Sequence, residues 1–239
     1  MVGGVMELDL HGMNTYQAQI AIDAALRRCG GGVYRLRLIH GYRGGTAIRD
    51  MFCCPYDNSC FRAYGEPAGG AAYQMLSRTA RELGLWLVGG SLPELEGGRV
   101  YNTSFVFDPQ GTCVARHRKM HLFDIDVEGG QRFRESDTLS PGNDVTLFDT
   151  PWGRMGLCIC FDLRFEELCR VMALEGARVL LAPAAFNMTT GPAHWELLLR
   201  QRAVDNQCFT VGTSPARDES ASYVAWGNSM VCDPWGTVL

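Results

Sequence analysis

Apolar and polar positions change their period several times along the chain, and each change marks an element. Residues 6–10 alternate as a short strand does, with successive side chains on opposite faces. Residues 15–28 switch to helical spacing. Ile22, Ala25 and Leu26 share one face, Thr15 is a candidate N-cap, and Gly30, Gly31 and Gly32 close the segment. Residues 33–39 (VYRLRLI) mostly alternate apolar side chains with arginine, the pattern of a half-buried strand, and His40 opens a glycine-rich loop that runs to Gly45. These elements predict a β-α-β unit. Beyond about Met51 the texture changes. Residues 52–64 are rich in cysteine and aromatic side chains and show no period. Residues 73–83 predict an amphipathic helix, followed by a strand over 85–91. Residues 101–108 and 113–117 predict paired strands about the turn Pro109-Gln110-Gly111. Residues 122–140 are charged and irregular. Further strands are predicted over 145–149, 155–160, 179–182, 208–213 and 229–232, with helices over 166–175 and 195–205. The strands are too continuously apolar for a sheet with one wet face, so the pattern predicts a layered α/β sandwich.

Composition narrows the function. With 46% hydrophobic and 20% charged residues among 239, the chain can bury a substantial core. A net charge of −4 argues against nucleic-acid binding by the whole chain. No apolar run is long enough to span a bilayer, so no membrane partner is expected. The N-terminus lacks the cationic start and apolar stretch of a secretion signal, which predicts a cytoplasmic protein. Ten cysteines in a chain of this kind are expected to be reduced, and no pair has metal-site spacing. One bias is sharper. Of 22 cationic side chains, 21 are arginine and a single one, Lys119, is lysine. Lysine is a compact point charge, whereas arginine is a bulky fork, so Lys119 is a candidate for a role that arginine cannot fill.

The sequence MGLCICFDLRF (155–165) puts Cys160 where an apolar strand breaks into a polar turn, ahead of a helix. That is where α/β enzymes present nucleophiles, although the pattern alone reads equally as one more buried structural cysteine. A thiol nucleophile needs a base, a cation and an oriented electrophile. Lys119 and, a little further on, Glu135 are candidates for the cation and a carboxylate. Together they suggest amide or nitrile hydrolysis through a thioester, though Glu135 also reads as a solvated loop carboxylate.

Four ordered motifs, RKMHLFDID (118–126), ESDTLSPG (135–142), GLCICFDLRFEE (156–167) and HWELLLRQRAVDNQ (194–207), resemble the nitrilase superfamily, closest to its omega-amidase branch, from about Met51 to Leu239. That branch hydrolyses the terminal amide of 2-oxo dicarboxylic acid monoamides. The resemblance implies a four-layer α-β-β-α sandwich, a homodimer packed through helices, a small-molecule amide substrate and no metal or organic cofactor. By motif position it makes Cys160 the nucleophile, Lys119 the catalytic lysine and Glu135 the supporting glutamate. Arg164, Phe186 and Tyr56 become substrate-pocket candidates, and each also has a plainly structural reading.

The chain departs from the family at both ends, so the sandwich is expected to be incomplete there. The family's general base is a glutamate, and Asp50 falls on that position, one methylene shorter. A carboxylate displaced by about an ångström can cost on the order of a hundredfold in rate. Upstream, ELDLHG (7–12) and IHGYRGG (39–45) resemble half of an Smr domain, a small α/β module linked to nucleic-acid binding, with His11 and His40 in its two marks. Two domains are therefore expected: residues 1–50, an Smr-like β-α-β segment, and 51–239, a carbon–nitrogen hydrolase domain truncated at its C-terminus. The alternatives to an active amidase are a catalytically impaired nitrilase-fold chimera and a nucleic-acid-binding module.

Overall fold

The computed structural model describes residues 5–9, 20–22, 24–25, 35–39, 58–126, 132–221 and 223–239. The chain divides into two units at Pro55/Tyr56. In the first, β1 (Val5–Asp9) and β2 (Arg35–Ile39) pair in parallel from Val5 opposite Arg35 to Asp9 opposite Ile39. Residues 20–22 and 24–25 between them are helical. Parallel strands require a crossover, and a helix supplies it, as the change of period predicts. The expected histidine marks (His11, His40), Asp50 and Tyr56 lie outside the described residues.

The second unit begins with two helices, α1 (Asn58–Ala63) and α2 (Ala71–Leu83). A four-stranded sheet follows, built on β5 (Arg99–Phe107). β3 (Leu87–Val88), β4 (Leu92–Glu96) and β6 (Cys113–Arg118) all pair antiparallel with it. A short hairpin, β7 (Asp124–Asp126) and β8 (Arg132–Arg134), precedes the second sheet. That sheet contains β9 (Thr146–Thr150), β10 (Gly153–Leu157), β11 (Val179–Pro183), β12 (Phe209–Thr213) and β13 (Met230–Cys232), in the order β13-β12-β11-β10-β9. β10, β11 and β12 run parallel, and the two edge strands run antiparallel. Helices α3 (Glu166–Leu174) and α4 (Gly191–Asn206) supply its crossovers.

Side-chain alternation along the strands sorts three apolar layers. Phe105 and Phe107 of β5 meet Ala80, Tyr73 and Leu76 of α2. Val106, between them in sequence, points the other way and packs with Phe148, Leu157 and Leu181 between the two sheets. On the far side of the second sheet, Leu180 and Ala182 of β11 meet Met172 of α3 and Trp195 and Leu199 of α4. Helix, sheet, sheet, helix is the four-layer order the sequence led us to expect. Among the described residues, no helix is long and apolar enough to cross a membrane.

Several elements differ from the pattern-based expectation. The strand expected over 155–160 pairs only from Gly153 to Leu157, because Cys160 opens a tight 3-10 turn, Cys160–Arg164. The helix expected from Trp195 begins four residues earlier, at Gly191, with Pro192 in its first turn. Proline lacks the N–H that a helix start would leave unpaired in any case. Helix α1, strand β4 and the β7–β8 hairpin have no counterpart in the sequence reading. Each is short or carries charge and proline where apolar periodicity would be sought.

Candidate active site

The putting-forward of Cys160 starts with backbone geometry. After β10 ends, the amide of Cys158 still donates to Leu181 O (3.0 Å), which extends the parallel ladder by one residue. Cys160 then adopts φ +50°, the left-handed region, which a non-glycine side chain enters at a cost of about 1–2 kcal/mol. Such strain survives only where the surroundings over-determine it, and it concentrates at functional sites. Here the turn lifts the thiol off the sheet end onto a cavity wall.

Lys119 follows β6 directly. Its amide donates to Asn102 O (2.8 Å), and its carbonyl accepts from the Gly142 amide (2.9 Å). Gly142 lies so close that a Cβ there would collide with the Arg118 backbone. The Lys119 side chain is buried, and its Nζ donates to Oε2 of buried Glu135 at 2.7 Å. The same carboxylate oxygen accepts the Phe123 amide at 2.6 Å. Glu135 is therefore not the solvated loop carboxylate that spacing allowed.

A second carboxylate joins these two halves. Asp162, buried in the 3-10 turn, accepts five N–H groups: Ile159 N (2.9 Å), Met120 N (3.2 Å), His121 N (2.9 Å), His121 Nδ1 (2.8 Å) and His117 Nε2 (3.1 Å). His117 Nδ1 in turn lies 2.9 Å from Thr146 Oγ1. Burial raises the Asp162 carboxyl, but the two histidines and the Ile159 amide outweigh it and hold the group well below the usual carboxylate range. One anion thus ties the residue before Cys160 to the two residues after Lys119.

The cavity beside the thiol is lined by Phe123, Cys160, Phe161, Arg164, Ala185, Phe186, Asn187, Thr190 and Tyr223. Burial pushes the Cys160 thiol up, while the Lys119 charge and the Ala185 backbone amide pull it back only in part. The Ala185 carbonyl accepts the Tyr223 hydroxyl at 2.5 Å, so the backbone on either side of Ala185 is held, by the tyrosine through its C=O and at the thiol through its N–H. Arg164 is half-buried. Its guanidinium lies over the rings of Phe161 (5.4 Å) and Phe186 (5.6 Å).

A family model described as carbon-nitrogen hydrolase matches residues 46–239. The chain belongs to the carbon-nitrogen hydrolases. Over 194 residues it is 55% identical to omega-amidase NIT2 of Danio rerio and 53% identical to omega-amidase NIT2 of Homo sapiens, covering 81% of this chain and 70% of each relative. The crystal structure of Saccharomyces cerevisiae Nit3, a member of branch 10 of the nitrilase superfamily, matches with a TM-score of 0.73 at 37% identity, covering 95% of this chain and 78% of that one.

In this hydrolase, which cleaves amide C–N bonds, Cys160, Arg164 and Phe186 share one cavity, and the charges of the Lys119–Glu135 pair act on the thiol. Asp50 and Tyr56, the other two sequence candidates, fall outside the described residues. Sequence reasoning missed Asp162, Tyr223, Thr190 and His194. Asp162 had a visible signal, a lone acid two positions after the nucleophile, but nothing in one sequence says that it faces His117 and His121. Because the thiol is protonated in the resting hydrolase, iodoacetamide should label Cys160 slowly at neutral pH. Peptide mapping by mass spectrometry should find labelling accelerating as pH rises through and beyond about 8.5, the ordinary cysteine value. Fast labelling that is flat from pH 6 to 9 would contradict a raised thiol.

Proposed function

We propose that the chain is an omega-amidase acting on the monoamides of small dicarboxylic acids, with Cys160 as nucleophile. The Cys160 sulfur attacks the terminal amide carbonyl, and its proton passes to a carboxylate base and on to the leaving nitrogen. The C–N bond breaks, ammonia departs and a thioester remains. Water adds to the thioester carbonyl, the sulfur regains its proton through the same base, and the acid leaves. Lys119 faces the developing oxyanion, and Glu135 holds Lys119 in place. The observation that carries this reading is a thiol on a strained turn, within the electrostatic reach of a buried lysine–glutamate pair and on the same cavity wall as a cation, Arg164. A guanidinium is suited to the carboxylate at the far end of such a substrate, and Phe186 and Tyr56 to its carbon chain. The omega-amidase relatives favour the same substrate class. The test is ammonia release from a 2-oxo dicarboxylic acid monoamide. Wild type should release it, and Cys160→Ala should not. Hydrolysis that survives Cys160→Ala would end this reading.

A raised thiol makes the base indispensable, and Asp50 is our assignment for it. The family match includes this position. Asp50→Glu should raise kcat at least about tenfold, because the longer side chain recovers the reach an aspartate lacks. An unchanged or lower kcat would mean that aspartate already serves and that the impaired-chimera reading is wrong. We further propose that residues 1–50 are an Smr-like segment and 51–239 the hydrolase domain. The parallel β1–β2 pairing supports the first part. The same proposal extends to a cytoplasmic homodimer. Exposed Leu174, Leu197, Val204 and Trp235 on and beside α3 and α4 support association through helices.

A further inference from the structure

The first turn of α4 holds a histidine that the mechanism above leaves unused. Arg164 Nη2 donates to Nδ1 of His194 at 3.0 Å. Guanidinium only donates, so Nδ1 must carry a lone pair, which fixes His194 as a neutral acceptor with its proton on Nε2. Among the described residues no carboxylate pairs with Arg164, and its Nε is buried without a hydrogen-bond partner. Burial lowers the stability of the cation. What orients this costly charge, within the described residues, is one imidazole nitrogen and two aromatic rings.

The imidazole stands on a rigid base. His194 N donates to Thr190 O (2.9 Å), and Thr190 is itself bound through its amide and hydroxyl to Asn187 Oδ1 (2.7 and 2.9 Å). Next along the helix, Trp195 is buried, donates Nε1–H to Asn228 O (2.7 Å) and packs its ring on Phe186 (5.1 Å). Gly191, at the helix start, touches the Trp226 ring, and a Cβ there would overlap it. A helix start pinned in this way cannot follow a wandering arginine, so the arginine must follow the helix.

We propose that His194 is a positioning residue that sets substrate selectivity: by accepting from Arg164 it keeps the guanidinium turned onto the cavity wall, where it favours acyl groups that end in a carboxylate. This rests on the anchoring role given to Arg164 above. Without the acceptor, the guanidinium is free to leave the wall for water, and binding weakens while the thiol chemistry is unaffected.

The experiment is steady-state kinetics with succinamate, the monoamide of a four-carbon dicarboxylate, on the full chain. His194→Leu fills the volume without an acceptor and should raise KM about tenfold with kcat within about twofold of wild type, the weight of one charged hydrogen bond. His194→Asn, whose Oδ1 stands near the place of Nδ1, should bring KM back to within about threefold of wild type. If the leucine variant does not fold, His194→Ala replaces it with the same expectation. An unchanged KM in the variant without an acceptor overturns the proposal. So does a parallel loss of kcat in both variants, or an asparagine variant as impaired as leucine. Arg164→Ala separates the two levels. A raised KM there with an unaffected His194→Leu sinks only the histidine's role, whereas an unchanged KM in Arg164→Ala sinks the anchoring role itself.

Discussion

Lys119→Met is expected to abolish measurable amide hydrolysis and to destabilise the protein by about 3–5 kcal/mol, the usual cost of stripping one partner from a buried ion pair. Nζ lies 2.7 Å from Glu135 Oε2, with both side chains fully enclosed. Its removal leaves a buried carboxylate without its cation, although Oε2 still accepts the Phe123 amide at 2.6 Å. The catalytic loss has a separate origin, since an oxyanion donor is worth roughly 10²–10³ in kcat. A double variant, Lys119→Met with Glu135→Leu, should divide the two effects. Without either charge it should recover most of the thermal stability, because apolar replacement of both partners is often neutral, yet remain inactive. Thermal denaturation and ammonia release measure the two quantities. Retained hydrolysis in Lys119→Met would remove lysine from the mechanism.

Asp162→Asn should lower kcat at least about a hundredfold without removing any group that touches substrate, because misplacement by an ångström is enough. An amide cannot accept on both ends. Its Nδ2 would face N–H groups that now point at an oxygen, either Ile159 N and His117 Nε2 or Met120 N, His121 N and His121 Nδ1. The link between the Cys160 turn and the Lys119 segment then loosens. The pH dependence of stability gives an independent check. The Asp162 carboxyl is depressed in the folded protein, so it contributes stability that is fully present above the unfolded aspartate value of about 3.9 and is lost as pH falls through the lower folded value. Wild type should therefore lose stability below about pH 4 more steeply than Asp162→Asn, as followed by denaturant melts across that range. Identical acid profiles would mean that Asp162 is not held ionised.

The layered architecture was legible because strand alternation and helical spacing report burial directly. Val106 facing away from Phe105 and Phe107 is the period of two made visible. Lys119 was legible for a different reason, as the single exception to a strong preference for arginine. What stayed hidden depends on which distant segments meet. Asp162 is an acid in a turn until β6 brings His117 to it, 45 residues away in sequence. His194 falls one residue before the helix expected from Trp195, until α4 is seen to run from Gly191 and to bring the imidazole to Arg164. Helix α1 was missed because six residues with mixed polarity carry no measurable period.

The protonated state of Cys160 has a bearing on survival under oxidative stress. Peroxides attack thiolates far faster than thiols, and burial keeps this sulfur in the sluggish form while the cavity is unloaded. Damage is thereby confined to the brief intervals in which a proton is being moved, so an idle molecule should outlast one that stores its sulfur as an anion.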